Sequence, residues 1–141
     1  MDTIKMKGRL LLFDKPTLSK TLFPKNCEVI YPEKIPVIFE FRFGDPRAAF
    51  GSGCVMRDEK GLICEVELTR SDVLIDILHE FNGEIPIGGF YSHVKSHQEN
   101  GLRVFESGCL RAIGVTLSPV DEEYRLRVVG EKEKQYENTN N

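Results

Sequence analysis

No apolar run of about 18 residues or more occurs in this 141-residue chain, so nothing in it has the length of a membrane-spanning helix. Met1 to Lys7 leads into a strand pattern, not a charged start, apolar stretch and small-residue cleavage site, and export is not expected. An excess of one charge is also missing: 19 Lys and Arg stand against 22 Asp and Glu, a net charge of −3. A general nucleic-acid binder is therefore not expected. The chain has no Cys-x-x-Cys pair, and Cys27, Cys54, Cys64 and Cys109 read as free thiols, three of them in apolar strand-like stretches. Gly51-Ser52-Gly53 and Gly88-Gly89 lack the Lys-Ser/Thr sequel of a phosphate cradle and read as bulges or close backbone contacts. Internal repeats are absent. What remains, with 40% hydrophobic, 9% aromatic and 29% charged residues, is the composition of one globular domain. A domain of this size can bury roughly two-thirds of its unfolded surface.

Period-2 alternation dominates. Met6, Leu10 and Leu12 share one face of a first strand, with Lys5, Lys7 and Arg9 on the other. Residues 14–26, with Pro16 and Pro24, suit a loop. Over Pro36 to Phe43, an aromatic face of Val37, Phe39, Phe41 and Phe43 opposes Ile38, Glu40 and Arg42. Asp58-Glu59-Lys60-Gly61 marks a hairpin turn, and the returning strand points Leu62, Cys64, Val66 and Leu68 inward. One segment, about Ser71 to Asn82, has helical period, with Val73, Leu74, Ile77, Leu78 and Phe81 on its stripe. Ser71 or Thr69 caps its start and Gly83 its end. Then follow a strand at Ile85 to Tyr91, a polar stretch at Ser92 to Gly101, a strand at Leu102 to Phe105, a central strand at Leu110 to Leu117 and a last strand at Tyr124 to Val129. The expected fold class is α+β, mostly β: a compact antiparallel β-barrel over residues 1–130 with one main helix packed on it. The polar segment 131–141 has no apolar stripe and reads as a mobile tail.

The chemistry-bearing residues are sparse. His93-x-x-x-His97 with Glu99 has ligand spacing on a helix, but no second ligand cluster supports a metal, and none is expected; nor is a cofactor. Ser92-His93 and Ser96-His97 are the candidate nucleophile pairs, yet neighbours in an extended chain point to opposite faces. Glu65 and Glu67 lie on the outward face of a strand, where solvation explains them.

The stretch Gly53 to Leu68 resembles the hairpin of the tailed-phage prohead (capsid maturation) serine proteases, in which a strand, an Asp-x-x-Gly-Leu turn and an alternating Val-x-Leu strand precede a helix. Ile87-Gly88-Gly89-Phe90 is similar to that family's Ser-Ile-Gly-Phe strand, and Leu110 to Asp121 to its Glu-Val-Ser-Leu-Val-x-x-Pro-Ala strand. The order agrees over roughly residues 5 to 121. The resemblance implies a compact β-barrel with flanking helices, shared with herpesvirus assemblins. It also implies an activity, cleavage of scaffold and capsid-protein segments inside the immature head.

The catalytic positions depart from that pattern. Under this alignment the general-base histidine becomes Phe41, the nucleophilic serine becomes Ile87 and the acidic third member becomes Gly114. Loss of the nucleophile or the base alone costs about 10⁶ in turnover. The resemblance thus implies a silent domain whose Phe41, Ile87, Gly88, Gly89 and Gly114 line a peptide groove, with capsid or scaffold protein as partner. Neither nucleic acid nor membrane is expected as a partner, and a homo-oligomer is compatible with the sequence. The expected location is the host or bacterial cytoplasm, with the interior of the immature phage head as the narrower setting. Two other readings stay open: an active maturation protease using Ser92, His93, Ser96 or His97, and an unrelated small β-barrel that binds protein.

Overall fold

The computed structural model describes residues 2–40, 42–117 and 121–129; Phe41 and the tail expected over 131–141 lie outside the described residues. The strands are β1 (Thr3–Leu12), β2 (Thr21–Leu22), β3 (Glu28–Ile30), β4 (Ile35–Phe39), β5 (Ala49–Arg57), β6 (Gly61–Thr69), β7 (Glu84–Glu99), β8 (Leu102–Val115) and β9 (Arg125–Val128). The helix α1 (Asp72–Glu80) lies between β6 and β7. Seven strands close a barrel in the order β4-β5-β6-β1-β9-β7-β8, with β8 pairing back onto β4. The expected class, a mostly β barrel carrying one main helix, is what the chain forms.

Closure depends on β8. One edge pairs antiparallel with β7 along nearly its whole length, while the other takes β2, β3 and β4 in succession, all parallel. The β4–β8 junction is thus a parallel seam in an otherwise antiparallel barrel. A strand flanked on both sides must be apolar in its paired stretch, and Leu110, Ala112, Ile113 and Val115 are fully buried.

The β5–β6 hairpin forms as its alternation requires: Leu62, Cys64, Val66 and Leu68 are buried, and Asp58 Oδ1 accepts from the amides of Lys60 and Gly61. Gly61 is needed for room, since a Cβ there would stand 1.9 Å from the Leu11 carbonyl oxygen. Arg9 also clamps the turn, with a two-pronged contact to Asp58 at 2.8 Å that holds this carboxyl well below the usual carboxylate range. In α1 the Ser71 hydroxyl accepts from the Leu74 amide at 3.2 Å, and Asn82 and Gly83 end the helix with φ of 55° and 81°. Leu74, Ile77 and Leu78 enter the barrel core; Val73, expected on the same stripe, is exposed. Among the described residues no helix is long and apolar enough to cross a membrane.

Several expectations are corrected. A bulge between Arg9 and Leu11 turns Leu11 into the core and leaves Leu12 half-buried. The strand expected over Pro36 to Phe43 ends at Phe39, because Glu40 takes φ 49° and the Arg42 amide turns back to the Phe39 carbonyl. Phe43 is therefore not an inward residue: it is 51% exposed and packs against Phe90 at 5.1 Å. The polar stretch from Ser92 is strand as far as Glu99. It continues β7 into a long hairpin with β8, merging the strands expected at Leu102 to Phe105 and Leu110 to Leu117. Asn100 and Gly101 form the turn with φ of 53° and 79°, the pair of positive values that a two-residue hairpin loop demands.

All four cysteines are free, with Cys27 and Cys64 buried and Cys54 and Cys109 half-buried. Burial pushes the Cys64 thiol up to about 12 and that of Cys27 upward as well. Alkylation of the native protein at about pH 8 is expected to modify Cys54 and Cys109 first, with Cys27 and Cys64 reacting only in denaturant; peptide mapping of the adducts reads this out. Leu74→Ala, which empties a fully buried site at the helix–barrel contact, is expected to cost about 2–5 kcal/mol in a urea titration.

Candidate functional site

Three features of the β7–β8 region could carry chemistry. The first is the run Ile87-Gly88-Gly89 on β7. Gly88 pairs directly with Gly114 of β8, and Ile87 with Val115. On its other side Gly114 faces Ile38 of β4. The structure thus brings Ile87, Gly88, Gly89 and Gly114 to one place beside the parallel seam. Ile87 itself is fully buried in the core. A Cβ on Gly88 would meet no heavy atom within 4 Å, so the backbone there is flanked by open space. Phe90, two residues on, is 40% exposed and packs on Phe43. Phe41, expected at this site, lies outside the described residues.

The second feature is a cluster at two bulges. One extra residue in β7 between Ser92 and Lys95 accompanies a φ of 52° at His93, and Arg111 is itself an extra residue in β8, across from Phe90 and Tyr91. Consequently Ser92 and His93 do not point to opposite faces: Ser92 Oγ lies 3.1 Å from His93 Nδ1. That corrects the expectation drawn from an ideal extended chain. Arg111 Nε donates to the same Ser92 oxygen at 2.6 Å, and its Nη2 lies 3.3 Å from His93 Nδ1. A nucleophile needs its oxygen lone pair free for attack and an imidazole held by a third, acidic group. Here the guanidinium donates to that oxygen, and the imidazole Nδ1 meets a serine and an arginine. The contact is a polar knot on an exposed strand surface, without hydrolase geometry.

Ser96 and His97 do not meet. Ser96 Oγ accepts from Arg103 Nε at 3.1 Å, whereas His97 bridges two carboxylates, Nδ1 to Glu106 at 3.0 Å and Nε2 to Glu99 at 3.1 Å. Because β7 is a strand, the His93/His97 spacing does not produce one helical face, and among the described residues no group of three or more His, Cys, Asp or Glu side chains could hold a metal ion.

The third feature was not anticipated. A cavity of about 390 Å³ opens between the end of β1, the β7–β8 hairpin and the loop that follows Phe13. Leu10, Leu11 and Ile87 line it together with Phe23, Tyr91 and Phe105, whose rings stack within 4.6–5.4 Å of one another. Asp121 and Tyr124 complete one wall, and Thr17, Ser19, Thr21 and Arg103 supply polar groups. Burial raises both phenols, Tyr91 strongly, and keeps them neutral. The aromatic residues are scattered through the chain, and only the Asn-Gly turn at 100–101 could have signalled the long hairpin that gathers them.

No protein-family model, curated protein or solved structure matches this chain.

The glutamates around His97, Glu106 foremost and then Glu99, raise its pKa above the ordinary value of about 6.5. The folded value lies above the unfolded one, so this contribution to stability is complete below about pH 6.5 and fades as the pH climbs through the folded value. An NMR titration is expected to show the His97 midpoint above about 6.5, moving down in Glu106→Gln.

Proposed function

We propose that this chain is a catalytically silent, prohead-protease-like barrel that acts in phage or prophage capsid assembly by holding a segment of scaffold or capsid protein. The observation that carries the reading is the half-buried backbone at Gly88, which has open space beside it, pairs with the buried Gly114 and lies two residues before the exposed Phe90 of the Phe43–Phe90 ring pair. An extended segment can approach a glycine backbone closely and rest apolar side chains on such a ring pair. The resemblance places the serine and acid of the active proteases at Ile87 and Gly114, so the same backbone would run where those enzymes bind substrate. Ile87 has no group to attack a carbonyl, and the hydroxyl of Ser92 is occupied by Arg111. Binding without cleavage is the chemistry left to this surface.

Fluorescent peptides tiled across phage scaffold and major capsid proteins test the reading. Binding by the native protein with no cleavage is expected, together with loss of binding in Gly88→Arg at unchanged melting temperature. Cleavage that disappears in Ser92→Ala would instead establish the active protease. Failure of every peptide to bind would remove the assembly role and leave an unrelated binding barrel.

A further inference from the structure

The inner face of the β7–β8 hairpin changes character along its length. Arg103 and Phe105 stand two apart on β8 and so share a face, the one that lines the chamber at the barrel mouth. Phe105 is buried against Phe23 and Tyr91, whereas Arg103, nearer the turn, is exposed. Among the described residues the Arg103 side chain makes one contact, from Nε to Ser96 Oγ at 3.1 Å, which leaves both Nη groups without an acceptor. The loop beside it brings hydroxyls to the same end of the chamber, those of Thr17, Ser19 and Thr21. Their place is fixed by the pairing of Thr21 with Arg103 and by the Arg103 amide, which donates to the Lys20 carbonyl at 2.9 Å.

Carboxylates are kept away from this end. Glu99 and Glu106 are held by His97 on the opposite face of the hairpin from Ser96 and Arg103. Asp121, the one carboxylate among the described lining residues, lies at the other end next to Tyr124, and its Oδ2 is shut off from solvent. The wall between is hydrocarbon and aromatic: Leu10, Leu11, Phe23, Tyr91 and Phe105. Leu18, 63% exposed, adds uncovered apolar surface at the rim. A free guanidinium fork at one end of an apolar chamber selects an acid with an apolar body, since the two Nη groups match the two oxygens of a carboxylate. One guanidinium balances one negative charge, which favours a carboxylate over a doubly charged phosphate. The volume of about 390 Å³ lies within the usual range for small-molecule sites.

We propose that this chamber binds a small arylalkyl carboxylic acid, its carboxylate on the Nη groups of Arg103 and its ring beside Phe23, Tyr91 and Phe105. The chamber shares Gly88 and Gly89 with the surface of the assembly reading, but an acid seated on Arg103 needs no peptide there. Three probes of equal length, 3-phenylpropanoate, 3-phenylpropan-1-ol and 3-phenylpropan-1-amine, are titrated into the full chain with no peptide present and followed by NMR amide shifts. The carboxylate is expected to shift resonances of Thr21, Arg103 and Phe105 and to bind at least about fivefold more tightly than the alcohol, the amine being weakest. In Arg103→Gln, a change at an exposed side chain, the carboxylate is expected to fall to the level of the alcohol while the alcohol binds as before. Equal binding of carboxylate and alcohol, tighter binding of the amine, shifts located away from the chamber, or no binding by any probe would each overturn the proposal on the native protein alone.

Discussion

The structure depends on the pairing of β8 along both of its edges. A curled sheet with an open edge presents a row of unsatisfied amides and carbonyls, and β8 is where that row is closed. Its antiparallel edge is filled by β7. Its parallel edge is filled by three short strands from residues 21–39, none of which has enough pairing to persist alone. Residues 21–39 are therefore ordered by β8, whose paired residues lie about 76 to 82 positions later in the chain. Such non-local pairing is slow to form and is rewarded only when the core is filled. The filling comes from the inward faces of all seven barrel strands and from Leu74, Ile77 and Leu78 of α1.

From that closure the candidate sites follow. Because β7 and β8 run past the barrel as a long hairpin, the hairpin gives the chamber at the barrel mouth Tyr91, Val94 and Phe105 as walls. Bulges in both strands absorb the mismatch between barrel and hairpin. They also re-aim side chains, which is why Ser92, His93 and Arg111 touch. A serine beside a histidine is thus a product of strand geometry here, and the Arg111 guanidinium contacts both of them.

Much of the fold was legible where one rule acts locally. The turn at Asp58 to Gly61, the alternation through Leu68 and the cap at Ser71 each need only neighbours in the chain, and they form as read. The polar stretch Ser92 to Gly101 was misread because that part of the hairpin extends past the barrel and has little to bury, so its alternation carries no apolar signal. Asn100-Gly101 was the one local mark of its turn. Leu11 in place of Leu12, and Phe43 outside the core, were illegible for another reason: a bulge or a positive φ shifts the period by one residue, and pattern alone does not locate either.

By itself the amino-acid sequence determined a mostly β domain with one helix, the β5–β6 hairpin, the ends of α1 and the inward set on β6, because period, turn chemistry and capping act over a few residues. Only the tertiary structure decided the parallel seam between β4 and β8, the meeting of Gly88 with Gly114, the knot at Ser92 and the aromatic chamber at the barrel mouth. Those depend on which distant strands share an edge and on where bulges fall. Such choices are settled by filling one common core and satisfying one common ladder, and no short stretch of chain contains either.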